Sequence, residues 1–291
     1  MIFEILFQAA QILGYGIILA GLRLFIHRTG FLSLGDGAFA AVGAYTTAII
    51  AASTGVPAAV TMPVAAAVTF VLGFLVSLPA LALVAQRWLA AIYVLLASFS
   101  LTLATPYILR LPALKAWTNG AAGLVIDTRA SGGFVLSLVL AIPLIAFTQG
   151  PLVNRLARPI VLSGDPQAHA PVTIGAFTVP LTFGLSACFA GIAGSLLAFT
   201  VGFISPEFFI PAASLVLLLG LLVVGIGTIW GILVGALLLE LASPLSQAAF
   251  AIFGQQSERV LSVLYGALVV LCLVFMPRGL AGLWQRAGTP P

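Results

Sequence analysis

Residues 37–86 read GAFAAVGAYTTAIIAASTGVPAAVTMPVAAAVTFVLGFLVSLPALALVAQ and contain no charged side chain. A helix needs about 20 apolar residues to cross roughly 30 Å of hydrocarbon, so this run is long enough for two membrane spans. The segment STGVP at residues 53–57 lies between the two halves and is a turn signal. The run therefore predicts a pair of membrane helices joined by a short turn.

The composition of the whole chain agrees with this stretch. Of 291 residues, 62% are hydrophobic and only 6% are charged, whereas soluble domains carry roughly 25% charged residues. So few charges cannot cover a soluble surface, so we predict an all-α, polytopic transmembrane helical bundle forming a single domain over residues 1–291. The net charge of +4 comes from sparse basic residues between apolar runs, which is typical of membrane topology signals rather than of nucleic-acid binding.

Charge-free windows predict about nine spans. The N-terminus lacks the basic region of a cleaved signal peptide and includes Glu4, so we expect it to form the first span. The predicted spans are residues 5–22, two within 37–86, 88–109, 130–154, 170–206, two shorter or broken spans within 208–239, and 260–277.

The distribution of basic residues predicts the orientation in the membrane, because cytoplasmic loops are enriched in Lys and Arg. With nine spans, seven basic residues fall on one side: Arg23, Arg28, Arg87, Arg155, Arg158, Arg278 and Arg286. Four fall on the other: Arg110, Lys115, Arg129 and Arg259. We therefore expect the C-terminus to be cytoplasmic and the N-terminus external.

Asp36 lies between Gly35 and Gly37 at the start of the second span. An ionisable residue beside a span is costly and is by default a functional candidate. One interpretation is a polar, pore-facing start to a glycine-loosened helix; the other is a helix N-cap, with Asp36 accepting backbone N–H bonds from Ala38 or Phe39. The following small residues, Gly37, Ala40, Ala41, Ala44 and Ala48, predict a face that a neighbouring helix can approach closely.

Two further acids are candidates. Glu240 lies near the end of an apolar run. It could line the pathway or pair with a basic residue, and the alternative is an acid whose side chain extends to the membrane interface. Glu207, in the connection GFISPEFFIP at residues 202–211, belongs to a docking or gating element or to a plain loop. Gly231 and Gly235 form a GxxxG packing motif.

The sequence contains no Walker A motif, no G-x-S-x-G motif and no His, Cys or acid cluster with metal-ligand spacing. We therefore expect no enzyme activity, metal or cofactor in this chain, so any ATP and Mg²⁺ would bind to partner subunits.

Six blocks of sequence resemble, in order, the permease subunits of branched-chain amino acid ABC importers, the LivH/LivM family, and the LivM type more than the LivH type. The blocks are FLSLGDGAFAAVGAY (31–45), WTNGAAGL (117–124), LSACFAGIAGSL (185–196), GFISPEFF (202–209), GIGTIWG (225–231) and FMPRGLAG (275–282). Asp36 departs from the family pattern, which commonly has His or Gln at that position.

The resemblance implies a multi-pass protein of the bacterial inner membrane and a set of partners. These are a LivH-like sister permease or a second copy, two cytoplasmic ATPase subunits, a periplasmic substrate-binding protein and membrane lipid, with no nucleic acid. It implies transport of a branched-chain amino acid or a related small solute such as urea or an amide. An ion-driven secondary transporter and a passive channel are the alternatives.

The resemblance also implies that the cytoplasmic loop at residues 155–178 carries a short coupling helix that docks into the ATPase. The residues carried over are Gly164, Asp165, Pro166, Ala168 and His169. His169 stands where the family has an acid, and Pro171 would break a helix, so a helix beginning at Asp165 must be short.

We predict a translocation pathway lined by Ser33, Asp36, Phe39, Tyr45, Tyr93, Ser98 and Glu240. We predict docking of the binding protein at Glu207 and Phe208.

Overall fold

A computed structural model describes residues 2–56, 58–83, 85–126, 177–209 and 211–224, together with positions 139, 143, 147, 232, 235–237, 239–240, 263 and 267. Eight α-helices and two short strands occupy the continuous stretches. They are α1 Ile2–Thr29, α2 Asp36–Thr54, α3 Ala58–Ser77, α4 Ala80–Leu83, α5 Arg87–Leu109, α6 Lys115–Thr118, β1 Leu124–Val125, α7 Thr178–Val201, β2 Phe203–Ile204 and α8 Pro211–Val224. Single 3-10 turns cover Gly120–Ala122 and Pro206–Phe209.

Five helices in this part of the chain are long and apolar enough to cross a membrane. They are Phe7–Thr29 in α1, then α2, Val60–Leu83 through α3 and α4, then α5 and α7. The helical membrane fold is therefore confirmed, and so is the turn between the second and third spans: Gly55 ends α2 with a φ of 66° and donates its N–H to the Ala51 carbonyl. The predicted spans 130–154 and 260–277 lie outside the described residues apart from single positions, and the total of about nine stays a prediction.

The predicted end of the first span at residue 22 is wrong. Helix α1 continues through Arg23 and ends at Thr29, and Arg23 is buried with 8% of its surface exposed. His27 and Arg28 lie in the last turn of α1, where a basic residue interacts favourably with the negative end of the helix dipole. A charge-free window therefore underestimates this helix, because its arginine is enclosed by protein.

Helix α7 lies at the centre of the bundle and packs against α1, α2 and α3. It runs antiparallel to α1, because Gly14 lies against Leu197 and Gly21 against Phe189. It also runs antiparallel to α3, because Thr69 lies against Gly191 and Gly73 against Ala187. Rings of α1, α2 and α7 fill the space between these helices: Phe183 makes edge contacts with Phe25 and Phe39, at centroid distances of 5.1 and 5.6 Å.

Glycines allow the helix backbones around α7 to touch. A Cβ at Gly194 would collide with the Ala40 carbonyl, and a Cβ at Gly43 would collide with the Gly191 backbone. The predicted small-residue face of α2 is therefore confirmed, since Ala40, Ala44 and the rest of that face are buried. Hydroxyls add a bond across the same contact, as Thr47 Oγ1 donates to Ser195 Oγ at 2.8 Å. This is the close backbone approach by which membrane helices associate.

Helices α3 and α5 present apolar side chains away from the bundle. Large exposed side chains on α3 include Val64, Val71 and Leu75, and on α5 they include Ile92 and Leu96. Such a face suits lipid tails or an apolar helix of a second membrane subunit.

Beyond the C-terminal end of α5 the chain forms a small structure that we call the β platform, residues 110–126 and 202–209. Strands β1 and β2 pair antiparallel, with Leu124 opposite Ile204. Gly123 has a φ of 73°, and a Cβ there would lie 2.9 Å from the Phe203 ring, so the position requires glycine. The platform joins the C-terminal ends of α5 and α7, so these two helices point in the same direction.

The glycine contacts of α7 generate a testable prediction. In Gly191→Leu the new side chain would overlap Thr69, whose Cβ lies 2.8 Å from the Cβ position of residue 191. Overpacking of this kind costs about 1–3 kcal/mol, or more where the backbone cannot move. We expect a clear fall in the thermal unfolding midpoint of the detergent-purified protein. Ala67→Leu is the control, because Ala67 is exposed on α3; equal midpoints for the two variants would contradict the role of Gly191.

Candidate functional site

The connection between α1 and α2, residues 30–35, is non-helical and we call it loop 30–35. Gly30 ends α1 with a φ of 72° and donates its N–H to the Ile26 carbonyl at 2.8 Å. Thr29 Oγ1 donates to the Phe25 carbonyl and accepts the N–H of Phe31 at 3.1 Å. The end of the helix is thus fixed by its own polar groups.

Loop 30–35 lies at the middle depth of the neighbouring helix α5. The Leu34 N–H donates to Ser98 Oγ at 3.1 Å, and Thr102 Oγ1 donates to the Leu34 carbonyl at 2.6 Å. Ser98 is the central residue of the 23-residue helix α5, which places the contact about 16 Å from either end of that helix. Non-helical backbone at such depth is tolerated only where protein or water satisfies it, and here two hydroxyls of α5 do so.

The start of α2 is bound to a second helix through Ser214 near the N-terminus of α8. The Gly37 N–H donates to Ser214 Oγ at 3.2 Å, and the Gly35 N–H donates to Ser33 Oγ at 3.1 Å. Two of the orphan amides at this helix start therefore have side-chain partners.

The expectation that the two glycines loosen the helix is wrong. A Cβ at Gly37 would collide with Ser214 Oγ, and a Cβ at Gly35 would lie 3.0 Å from the Phe39 ring and 3.1 Å from Ser98 Cβ. The glycines are required because neighbouring side chains approach the backbone closely, and the helix they flank is regular.

The prediction that Asp36 is the N-cap is also wrong. Gly35 is the N-cap residue and makes no side-chain cap bond, while Asp36 is the first residue of α2. The Asp36 side chain is 2% exposed, and Ser186 of α7 donates its Oγ to Asp36 Oδ1 at 3.3 Å. The Asp36 side chain therefore has a partner on α7 in addition to a hydrogen bond with its own backbone N–H. A carboxylate in this first turn also lies at the favourable end of the helix dipole.

The structure brings four predicted pathway residues together around the start of α2: Ser33, Asp36, Phe39 and Ser98. Sequence reasoning missed Ser186 and Ser214, which complete the arrangement. Their only signal in the sequence is a small hydroxyl within an apolar span, and such hydroxyls are common in membrane helices. The arrangement places one carboxylate and several hydroxyls inside the bundle.

The remaining predicted pathway residues lie elsewhere. The Tyr93 hydroxyl donates to the Val76 carbonyl at 2.8 Å and ties α5 to the end of α3. Tyr45 is buried on α2, nine residues beyond Asp36. Glu240 is half-buried and lies within electrostatic range of Tyr15 on α1.

Glu207 and Phe208 lie on the β platform. Glu207 forms an ion pair with Arg110, from Nη2 to Oε1 at 3.2 Å, and Phe208 is 52% exposed. Phe208 packs edge-on against the ring of Phe203 at a centroid distance of 6.0 Å. The surface is accessible, and its role in docking stays a prediction.

Several predicted residues cannot be placed. Gly164, Asp165, Pro166, Ala168 and His169 lie outside the described residues, as does Gly231. Gly235, the other half of the GxxxG motif, lies against the backbone of Gly220 on α8, where a Cβ would approach the Gly220 carbonyl to 2.9 Å.

The contact between Gly37 and Ser214 generates a second prediction. Gly37→Ala places a methyl group against Ser214 Oγ, so we expect lower thermal stability. Ser214→Ala removes that oxygen, so the double variant Gly37→Ala/Ser214→Ala should recover part of the loss despite the missing hydrogen bond. Unfolding midpoints of the wild type and the three variants form a double-mutant cycle. Additive effects would contradict a direct steric contact.

Residues 175–273 match the family model of the branched-chain amino acid transport system permease component. The chain is 29% identical to the high-affinity branched-chain amino acid transport system permease protein LivM of Escherichia coli, over 91% of this chain and 67% of that protein. It is 28% identical, with the same coverage, to the LivM permease protein of Salmonella typhimurium. No solved structure matches.

Proposed function

We propose that this chain is a LivM-type permease of the branched-chain amino acid transport family and that it imports a small polar or zwitterionic solute by ATP-driven alternating access. The family members it resembles are transport components of ABC importers rather than enzymes. The solute class we propose is a branched-chain amino acid or a related molecule such as urea or an amide.

The observation that carries the proposal is the non-helical loop 30–35 with the buried carboxylate of Asp36 beside it. Backbone that departs from a helix inside a membrane bundle needs dedicated hydroxyl partners, and an enclosed carboxylate costs free energy. A protein that only anchors itself in lipid has no use for either. The same residues form the block that resembles the permease family most closely.

We propose that Ser33, Asp36, Phe39, Ser98, Tyr45, Tyr93 and Glu240 contribute to the pathway, with Asp36 as its central polar group. Because Asp36 is 2% exposed in this conformation, solute reaches it only after neighbouring helices separate. Alternating access supplies that separation.

Partner subunits supply the energy in this proposal. Two cytoplasmic ATPase subunits bind ATP and Mg²⁺, and they push on residues 163–172, where the resemblance to the family predicts a short coupling helix. A LivH-like sister permease or a second copy completes the pore, and a periplasmic binding protein delivers the solute. The protein then resides in the bacterial inner membrane, with the C-terminus in the cytoplasm.

Reconstitution in liposomes tests the proposal. The chain is combined with a sister permease, ATPase subunits and a binding protein, and uptake of radiolabelled leucine is followed with ATP inside. We expect uptake that requires ATP and stops when the ATPase is inactivated. Uptake that continues without ATP but collapses without an ion gradient would favour the secondary transporter instead.

Asp36 gives a third prediction within the same assay. Asp36→Ala removes the carboxylate that accepts the Ser186 hydroxyl, and a hydrogen bond to a charged group contributes about 1.5–3 kcal/mol. We expect uptake to fall about tenfold at matched membrane levels. Asp36→Asn is the control, because it keeps a hydrogen-bonding oxygen while removing the charge. If Asp36→Ala transports as fast as the wild type, Asp36 has no part in the pathway.

A further inference from the structure

Tyr45 has a buried hydroxyl with no hydrogen-bond partner among the described residues. Its side chain is 2% exposed, and the oxygen is shielded from solvent. A buried tyrosine O–H usually finds an acceptor, because leaving it unpaired costs free energy. Tyr93 shows the ordinary arrangement, since its hydroxyl donates to the Val76 carbonyl. The Tyr45 hydroxyl is thus a donor without an acceptor in this conformation.

Arg110 lies at the same end of the bundle as this donor. It follows α5 directly, as the C-cap residue, and it pairs with Glu207 in the 3-10 turn Pro206–Phe209, which contacts both α5 and α2. Among the described residues its side chain is held by one hydrogen bond, from Nη2 to Glu207 Oε1. A guanidinium has five N–H donors in a planar fork that suits a carboxylate, so most of its donor capacity is unused here.

Glu207 is held loosely. Its side chain is 72% exposed and that of Arg110 is 40% exposed, so this is a surface ion pair of the kind that contributes little to stability. The Glu207 carboxylate therefore pairs only weakly with the Arg110 guanidinium. Another carboxylate can replace it at a small cost in free energy.

From these contacts we propose that Arg110 and Tyr45 form a binding site for the carboxylate of the transported solute, and that Glu207 occupies the guanidinium when the solute is absent. The proposal rests on the proposed function and narrows its substrate class to solutes that carry a carboxylate. The Arg110 guanidinium neutralises the charge of the solute carboxylate. The Tyr45 hydroxyl donates a hydrogen bond to the same carboxylate and so gains the acceptor that it lacks without solute.

The proposed carboxylate site lies along α2 between the central polar residues and the β platform. Tyr45 is nine residues beyond Asp36, which is about 13 Å along the helix toward the β platform. A solute held by its carboxylate at Arg110 is therefore at the platform end of the bundle, before it reaches the central polar residues.

Equilibrium binding tests the proposal without ATP. The assembled transporter is placed in lipid nanodiscs without nucleotide or binding protein, and binding of tritiated leucine is measured with competition by leucinamide, which lacks the carboxylate. We expect leucine to bind and leucinamide to compete at least roughly tenfold more weakly, since a hydrogen bond to a charged group changes affinity by that order. Absence of leucine binding, or equal competition by leucinamide, would overturn the site.

Two variants that break the same ion pair give the sharpest comparison. Arg110→Gln removes the proposed ligand and should weaken leucine binding roughly tenfold, whereas Glu207→Gln removes the competitor and should leave the binding equal or tighter. If the ion pair had only a structural role, both variants would change binding in the same direction, and that result would contradict the proposal.

Tyrosine variants complete the experiment. Tyr45→Phe should weaken the binding of leucine and leave the affinity for leucinamide unchanged, because leucinamide has no carboxylate to accept the Tyr45 hydroxyl. Tyr107→Phe is the matched control, because Tyr107 lies near the same end of α5 with 73% of its surface exposed. Equal effects of the two tyrosine variants would count against Tyr45. Because no step here uses ATP, these outcomes are independent of a failure of ATP-driven uptake.

Discussion

Backbone hydrogen bonding at loop 30–35 is the constraint on which the site depends. Leu34 lies outside helical geometry at the middle depth of α5, and Ser33 and Gly35 beside it are buried. Ser98 and Thr102 bind both the N–H and the carbonyl of Leu34 from one face of α5. Ser214 takes the N–H of Gly37 from α8. Replacing these hydroxyls by apolar groups would leave buried peptide groups unpaired, at a cost of about 1–3 kcal/mol each.

The rest of the bundle holds those hydroxyls in place through two kinds of contact. Helices α1, α2 and α3 lie against α7 through glycines, with backbone touching backbone at Gly43, Gly191 and Gly194. Contacts from α2 to α5 and α8 are made instead by hydroxyl hydrogen bonds and fewer packed side chains. Close-packed interfaces resist deformation, whereas hydrogen bonds can exchange partners. Under alternating access, α1, α2, α3 and α7 would therefore move together, and the change would fall at the contacts with α5 and α8.

Sequence reasoning predicted the membrane class and the described spans because these depend on local composition. It found the resemblance to the permease family because that resemblance depends on ordered blocks. Charge-free runs locate helices well when their ends carry charge, as at Arg87, where α5 begins. The same rule failed at Arg23, because burial of that side chain depends on contacts that are distant in sequence. The role of Gly35 and Gly37 was misjudged for a similar reason. Two glycines that flank an acid look like a helix breaker, and only the positions of Ser214 and Phe39 reveal that they provide space.

The hydrogen-bond partner of Asp36 also could not be predicted from local sequence. Local propensity favoured an N-cap, because aspartate commonly binds the amides of its own helix start. Here Ser33 and Ser214 accept the amides of Gly35 and Gly37, and Ser186, 150 residues away in sequence, donates to the Asp36 carboxylate. An aspartate that bonded only to its own helix start would stay with α2 in any conformation. One that bonds across to α7 ties the start of α2 to the close-packed helices, so an opening that exposes Asp36 to solute would fall on its other side, toward α5 and α8.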